Sequence, residues 1–349
     1  MGVERGELRG LVVNLREVDR ADAHVWDAVA SGLMVEVARR VVVPLERWVS
    51  LSDHERRWLE VYAAGRTSRG AVLVGRSAAR LLGMWVVPLA PETIELTLRG
   101  RGSSPLRAGD GRHTFRRSGL VEGEVDTAEG VAVSTPVRTF ADIARYHGFL
   151  EGLVGADWLR RNAVSFADIR SAVASMGRVK GIATVRRCVE HSVAVSDSPY
   201  ESLARGLLIQ AGIGPIRVQH PICGFRADIL VEDWLIIEID GAVKYRGPEA
   251  ERTRQREFNR KKRTANAGYY FLRYSPVVIE HSPGEFIYRR SFVPVTASHG
   301  PEHPAKNRCP RPKTGGTFTR TTYLAIPSMI LLKVSDGRMT AEVMASLGR

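Results

Sequence analysis

The sequence predicts two folded regions of different class, an α/β domain toward the C-terminus and an α+β region at the N-terminus. The first prediction depends on a helix start at Ser198 followed by strand-like runs rich in β-branched residues. The second depends on the order helix, helix and short basic hairpin within residues 1–50. Together with shifts in composition, these patterns predict a winged-helix-like DNA-binding domain, an α+β middle domain, a helical connector, an α/β domain and a basic tail. Their predicted bounds are 1–50, 51–155, 156–197, 198–290 and 291–349.

Composition and charge limit the class of protein. The 349 residues are 44% hydrophobic and carry a formal net charge of +13, which is a globular composition with a basic excess. That excess favours an anionic partner such as nucleic acid, although a solvated basic surface is the other interpretation. The N-terminus lacks a signal-peptide pattern, and no apolar run is long enough to span a bilayer. We therefore expect a cytoplasmic protein with no membrane partner and no small-molecule cofactor.

The cysteine pattern agrees with a reducing compartment. Cys188, Cys223 and Cys309 are far apart in the sequence and show no C-x-x-C spacing. This pattern predicts neither a disulfide framework nor a zinc site.

The N-terminal segment has the element order of a winged helix-turn-helix. Apolar residues recur at helical spacing from Val18 to Ala30, and Asp19 is a candidate cap for the start of that helix. Two β-branched runs then flank a basic turn that contains Arg39 and Arg40. We predict that these two arginines contact DNA, and the other interpretation is a small α+β unit of any kind.

The middle of the chain alternates helices and strands without a catalytic constellation. Predicted elements are a helix opened by the capping box of Ser52 and Glu55, a buried helix at 77–82, strands at 93–98 and 131–134, and a helix at 137–146. Asp142 and His147 look isolated and are interpreted as cap or surface groups. The tail from about Thr296 is rich in Pro, Gly and basic residues, so we expect disorder in its first half and assign it no function.

Ser198 opens a helix that carries the first candidate site residue. Pro199 suits the first helical position and Glu201 completes a capping box with Ser198. Glu201 therefore has two interpretations, as a structural cap and as a catalytic acid.

Asp228 and Glu238 are the strongest candidates for a metal site. Each is flanked by isoleucine and leucine in a predicted strand, where an unpaired carboxylate is costly. A three-residue turn at 232–234 would place them directly opposite each other, roughly 5 Å apart, and a hard cation such as Mg²⁺ or Mn²⁺ would relieve their repulsion. Asp240 shares that face. A two-residue turn would instead put the pair on opposite faces, and a solvent-facing acidic hairpin is the plain structural interpretation.

A basic segment follows the acidic strands. It includes Lys244 near the turn and a predicted helix at about 249–267. Acidic strands followed by a basic helix suit the hydrolysis of phosphodiester bonds, and we interpret Lys244 as stabilising charge on the phosphate that is cut. Predicted DNA contacts on that helix are Arg256, Arg260, Lys261, Lys262 and Arg263. A solvated helix face is the other interpretation of the basic run.

These residues resemble a known nuclease family in order and spacing. Ser198 and Glu201, then Asp228, then the run Glu238-Ile-Asp-Gly, a basic helix and the run ending at Arg273 are similar to the very-short-patch-repair-like endonuclease domain of the PD-(D/E)XK restriction-endonuclease-like superfamily. The resemblance covers about residues 198–280. It implies a restriction-endonuclease-like α/β domain with a central mixed sheet flanked by helices.

The same resemblance implies roles for individual residues. Asp228 and Glu238 would be metal ligands, Glu201 the acid of the first helix, and Asp240 the acid of the E-x-D-G variant. Asp240 stands where the superfamily usually has a lysine, and Lys244 is the candidate substitute.

More weakly, the N-terminal two-thirds resembles proteins with an AbiEi-antitoxin-like winged-helix region. The matching segments are the hairpin at 35–44, the run from Arg76 to Gly83 and the run from Ser134 to Thr139.

The sequence thus supports competing functions. The first is a Mg²⁺-dependent DNA endonuclease acting in DNA repair or phage defence. The second is a non-catalytic DNA-binding regulator of antitoxin type with a degenerate nuclease fold, and the third is a protein-interaction role in a defence system.

Overall fold

The computed structural model describes residues 4–68, 70–98, 111–240, 260, 262–291, 330–335 and 338–343. The chain divides into two compact units, Met1–Cys309 and Pro310–Arg349. The fold is α/β, with mixed sheets flanked by helices. Within the described part of the chain, no helix is both long and apolar enough to cross a membrane.

Short helices surround a small three-stranded sheet in the N-terminal segment. The elements are α1 (Arg5–Gly10), β1 (Val13–Asn14), α2 (Ala23–Ala30), β2 (Met34–Ala38), β3 (Val41–Pro44) and α3 (Leu45–Ser50), and the strand order is β1-β3-β2. The predicted start of α2 was wrong, because Asp22 rather than Asp19 caps it. The Asp19 carboxylate instead accepts the Ala21 N–H at 2.9 Å, which stabilises a turn before the helix.

The middle segment adds a five-stranded mixed sheet. Its elements are α4 (Asp53–Thr67), β4 (Ala71–Leu73), α5 (Gly75–Leu82), β5 (Ile94–Leu98), β6 (His113–Phe115), β7 (Val125–Ala128), β8 (Val131–Ser134) and α6 (Pro136–His147), with the strand order β6-β5-β4-β8-β7. The predicted capping box of Ser52 and Glu55 is confirmed. Val41 and Val43 of β3 share one hydrophobic core with Trp58 and Leu59 of α4, so burial of these side chains stabilises both segments together.

Asp142 and His147 are not isolated, so their interpretation as cap or surface groups was wrong. Asp142 is fully buried and forms ion pairs with Arg138 and Arg145. The His147 ring contacts the buried carboxylate of Glu95 at 2.9 Å. Arg138 and Arg145 lie one helix turn from Asp142, whereas Glu95 lies on a strand far from His147 in the sequence. A buried charged group is costly without a partner, so the buried positions of Asp142 and Glu95 account for these pairs.

Helices connect this sheet to the C-terminal part of the first unit. They are α7 (Phe149–Arg161), α8 (Phe166–Ser175), α9 (Ile182–His191) and α10 (Pro199–Gln210). The helical character expected for the connector is therefore observed. Asp157 of α7 and Arg205 of α10 form a buried ion pair with contacts of 2.9 and 2.7 Å, which fixes the position of α10 relative to α7.

A four-stranded sheet positions the acidic residues. Its strands are β9 (Ile216–Ile222), β10 (Phe225–Val231), β11 (Leu235–Ile239) and β12 (Tyr270–Tyr274), followed by α11 (Pro276–His281) and α12 (Pro283–Ser291). The order is β12-β11-β10-β9, with β12 parallel to β11 and the other pairs antiparallel. Residue 260 and residues 262–266, in the crossover between β11 and β12, are helical, as is usual for the connection between parallel strands.

Both faces of this sheet bear apolar side chains. Leu203 and Leu208 of α10 pack with Ile229 and Ile237 on one side, whereas Leu230 and Ile236 belong to a second, smaller cluster. Asp228 and Glu238 lie two residues from Leu230 and Ile236 and therefore share that second face.

Two local expectations about this sheet were wrong. β9 continues to Ile222, where the sequence predicted that the next strand begins, because Cys223 and Gly224 form the turn with positive φ of 50° and 83°.

Cys223 is disulfide-bonded, although its sequence spacing predicted no disulfide framework. Cys188 is a buried free cysteine.

The second unit contains an antiparallel hairpin. Its strands are β13 (Ile330–Ser335) and β14 (Arg338–Val343).

Candidate acidic site

Asp228 and Glu238 lie at the same level of neighbouring strands. The pairs Ile229 with Ile237 and Val231 with Leu235 set a register that, continued by one step, places Asp228 opposite Glu238. The turn at 232–234 that produces this register has three residues, which is one of the two turn lengths that the sequence left open. Glu238 is only 3% exposed, so its carboxylate is held almost entirely within the protein.

The two outer strands place further polar residues in the same row. β9 pairs with β10 in a register that brings Gln219 level with Asp228, and β12 pairs Arg273 with Glu238. The row across the four strands is therefore Gln219, Asp228, Glu238 and Arg273. Sequence reasoning assigned no role to Gln219 or Arg273, because their positions depend on pairing between strands and not on a local motif.

Glu201 belongs to this site, although it lies on α10. Its carboxylate Oε2 accepts the Asp197 N–H at 3.0 Å and the side-chain amide of Gln219 at 2.9 Å. The Ser198 hydroxyl accepts the Glu201 N–H at 3.2 Å, which is one half of the predicted capping box. The Glu201 carboxylate accepts from Asp197 and Gln219 in place of the Ser198 N–H, so the cap alone does not explain this buried side chain.

Two arginines neutralise part of the acidic charge. Arg260 donates to Glu238 Oε2 and lies over the rings of Phe225 and Phe271, at 5.0 and 5.9 Å from their centroids. Arg273 Nε lies 2.6 Å from Asp240 Oδ2, and its Nη2 lies 3.5 Å from Glu238 Oε2. Arg260, predicted as a DNA contact, is thus an ion-pair partner of Glu238.

Burial is the main influence on the ionisation of the carboxyl groups. It raises the pKa of Glu238 to about 7, while Arg260 and Arg273 lower that pKa and Asp228 and Asp240 raise it. Burial also raises the pKa values of Glu201 and Asp228. A nearby cation would favour the ionised forms of all these groups.

One carboxylate oxygen of the site has no donor. Glu238 Oε1 is buried and makes no hydrogen bond with the described part of the chain, whereas Asp228 Oδ2 accepts the Ile239 N–H at 3.0 Å. When all are ionised, the four carboxylates of Glu201, Asp228, Glu238 and Asp240 exceed, by two charges, the two guanidinium groups that contact them within the described part of the chain. The unpaired oxygen and the excess negative charge suit a divalent hard cation.

The structure does not assemble a complete set of protein ligands for a metal. Among the residues that it describes, no group of three or more His, Cys, Asp and Glu side chains is arranged to hold an ion. Asp228 and Glu238 are therefore the two best-placed candidate ligands, and Glu201 and Asp240 are directed to other partners.

The other predicted site residues are spread along the chain. Lys262 and Arg263 are exposed on the helical segment after residue 260, and Arg39 and Arg40 are exposed at the turn between β2 and β3. Arg40 there has a φ of 60°. Lys244, Arg256 and Lys261 lie outside the described residues.

The fold defines an α/β protein with mixed sheets, and the site is an acidic cluster contacted by two arginines. Comparison with known proteins found no family model that matches the chain and no curated protein that matches it significantly. Functional assignment therefore depends on the geometry of the acidic cluster.

Proposed function

We propose that the chain is a Mg²⁺-dependent DNA endonuclease with Asp228 and Glu238 as its metal ligands, acting in DNA repair or phage defence. The observation that carries this proposal is the buried Oε1 of Glu238, which has no hydrogen-bond donor among the described residues and lies beside a second carboxylate in the same row. The fold is compatible with a restriction-endonuclease-like domain. Mn²⁺ has the same preference for oxygen ligands and is expected to substitute.

The protein's own groups have distinct parts in this proposal. Mg²⁺, when bound, supplies Lewis-acid stabilisation of a phosphoryl oxygen and lowers the pKa of bound water. Asp228 and Glu238 bind the ion, and the Ile239 N–H orients the Asp228 carboxylate. Arg273 holds Asp240, while the exposed Lys262 and Arg263 are available for backbone phosphates of DNA.

A plasmid-cleavage assay with isosteric variants tests the proposal. We expect Asp228→Asn and Glu238→Gln each to reduce Mg²⁺-dependent cleavage to background while DNA binding persists, because each change removes a ligand charge and little volume. Asp233→Asn, in the exposed turn of the same hairpin, is the matched control and should retain activity. Wild-type cleavage in EDTA, or cleavage by Asp228→Asn at the wild-type rate, contradicts the proposal.

A second candidate is a DNA-binding regulator without catalysis, including the antitoxin type. The observation that favours it is the neutralisation of the acidic cluster by Arg260 and Arg273, together with Asp240 at a position where a catalytic cation was expected. Its winged-helix-like N-terminal segment would then provide the main DNA contact. Calorimetry separates the two candidates, because DNA affinity without Mn²⁺ binding supports the regulator and excludes the nuclease.

A further inference from the structure

The turn between α8 and α9 and the outer face of α9 carry a group of cations without intervening acids. No acidic residue occurs between Asp168 and Glu190. The charged residues of the turn and of α9 before Glu190 are all exposed cations, namely Arg178, Lys180, Arg186 and Arg187. None of the four forms an ion pair with the described part of the chain. These four residues are called the α9 patch below.

Arginines of the neighbouring helices are paired, in contrast to the α9 patch. Arg145 of α6 forms an ion pair with Asp142, and Arg205 of α10 forms one with Asp157. The fold therefore provides acids for arginines that take part in helix packing, and the described residues provide none for the patch. Unneutralised cations clustered on one surface favour an anionic partner.

The backbone that carries the patch is held in place. Arg145 Nε donates to the Lys180 carbonyl at 2.9 Å. Gly181 has a φ of 83°, and a Cβ at this position would lie 3.0 Å from Arg145 Cα, so the turn packs closely against α6. Arg187 Cζ lies 4.2 Å from the centroid of the Phe149 ring. The cations thus project from a fixed surface, which reduces the conformational entropy lost when a ligand binds.

The length and composition of the patch suit the backbone of DNA better than a membrane surface. α9 has ten residues and is about 15 Å long, whereas duplex DNA carries one phosphate charge per about 1.7 Å of its axis. The patch is therefore long enough to face several phosphates. Helices that lie on membranes combine cations with large apolar side chains. Residues 176–191, all of which the structure describes, expose no large apolar side chain.

Contacts between helices connect the patch to the acidic cluster. The His191 carbonyl at the end of α9 accepts from Arg205 of α10 at 2.5 Å. α10 in turn carries Glu201, which contacts Gln219 in the acidic site. A duplex that binds along α9 would therefore keep a constant position relative to the acidic cluster.

We infer that the α9 patch binds the phosphate backbone of duplex DNA, as a surface distinct from the basic turn of the N-terminal segment. The inference rests on the proposed function, because it takes DNA as the ligand, and deepens it by assigning a surface that holds the duplex. Contacts to phosphates position a duplex without reading its bases. The patch therefore contributes affinity that does not depend on DNA sequence.

Salt titrations of DNA binding test this inference. We expect the double variant Arg178→Gln and Lys180→Gln to bind a duplex of arbitrary sequence about tenfold more weakly at low salt and to lower the salt dependence by about two phosphate contacts. Both side chains are exposed, so the melting temperature should remain at the wild-type value. Fluorescence anisotropy of the full chain in EDTA measures binding without cleavage.

The control is the double variant Arg16→Gln and Arg20→Gln, which removes the same charge from two other exposed positions. It should weaken binding by less than about twofold. Wild-type affinity in the patch variant, or an equal loss in the control, overturns the inference. Loss of binding to phosphatidylserine vesicles with unchanged DNA affinity overturns it in favour of a membrane surface.

Cleavage in Mg²⁺ separates this inference from the proposed function. If wild type cuts DNA and the patch variant binds DNA as tightly as wild type, only the inference fails. If wild type binds DNA through the patch and does not cut it, the inference stands and the proposed nuclease fails. A wild type that does not bind duplex DNA overturns both.

Discussion

At the scale of single residues, the two oxygens of Glu238 have different environments. Oε2 receives a guanidinium donor from Arg260, whereas Oε1 is buried without a donor in the described part of the chain. A buried carboxylate with one unsatisfied oxygen loses hydration that the protein does not replace. Glu238 is therefore the group whose ionisation should respond most to pH and to added cations.

The pH dependence of stability should reveal this environment. Burial raises the folded-state pKa of Glu238 to about 7, above its ordinary value of 4.5. The resulting stabilisation is fully present below about pH 4.5 and is lost as the pH rises through about 7. In EDTA, we expect the unfolding free energy of wild type to decrease between these values, relative to Glu238→Gln, by about 3 kcal/mol, since each unit of pKa is worth about 1.4 kcal/mol.

Urea denaturation at several pH values measures this difference. Both proteins contain the other shifted carboxyl groups, so the difference between them reports the titration of Glu238 together with its electrostatic coupling to Asp228 and Asp240. Parallel stability curves for wild type and Glu238→Gln contradict the expected titration.

Local patterns in the sequence predicted some site residues and missed others. Strand alternation aligned Asp228 with Glu238 only on the condition of a three-residue turn, which the structure has. Gln219 and Arg273 reach the same row only through pairing with β9 and β12, and the sequence contains no local signal for that register. Glu201 was ambiguous because a helix cap and a buried acid have the same residue pattern at a helix start.

At the scale of elements, one buried ion pair fixes α10, the helix that carries Glu201. Asp157 of α7 is fully buried and accepts from Arg205, which is 4% exposed, and from the Val193 N–H. Removal of one partner would leave the other charged and unpaired in a poorly hydrated place. This pair therefore matters for the position of Glu201 as well as for stability.

We expect Asp157→Ala to reduce the unfolding free energy by about 3 to 5 kcal/mol, the usual cost of breaking a buried pair. The control is Arg217→Ala, which breaks the exposed pair with Asp233 and should cost at most about 1 kcal/mol. Chemical denaturation compares the two variants. Equal losses would show that burial does not determine the importance of the Asp157–Arg205 pair.

Elements with a strong local signal were predictable, whereas their assembly was not. Ser52 caps a helix as the sequence predicted. The start of α2 was misplaced because Asp19 and Asp22 are both suitable caps, and only the turn at Asp19 distinguishes them. The sharing of one core by β3 and α4 depends on contacts between separate elements, for which the sequence has no short-range pattern.

At the scale of the whole molecule, the net charge of +13 bears on the proposed binding of DNA. Cations that neutralise phosphates release counterions, so affinity falls as salt concentration rises. Arg39 and Arg40 at an exposed turn of the N-terminal segment are candidates for such contacts.

We expect the double variant Arg39→Gln and Arg40→Gln to bind duplex DNA more weakly and to lower the salt dependence by about two phosphate contacts. Fluorescence anisotropy over a range of salt concentrations measures this slope. Arg16→Gln combined with Arg20→Gln makes the same charge change at two other exposed positions. If both double variants lose affinity equally, general charge and not this turn accounts for binding.

The turn between β10 and β11 has an evolutionary and practical consequence. Its three residues determine which face of the sheet Glu238 occupies, since a shift of one residue reverses the direction of every side chain in a strand. A relative that gains or loses one residue in this turn would have Asp228 and Glu238 on opposite faces of the sheet, although a sequence alignment would still show both acids. Turn length is therefore as informative as residue identity when relatives are judged. A one-residue deletion in this turn would separate Asp228 from Glu238 while preserving all the side chains of the acidic cluster.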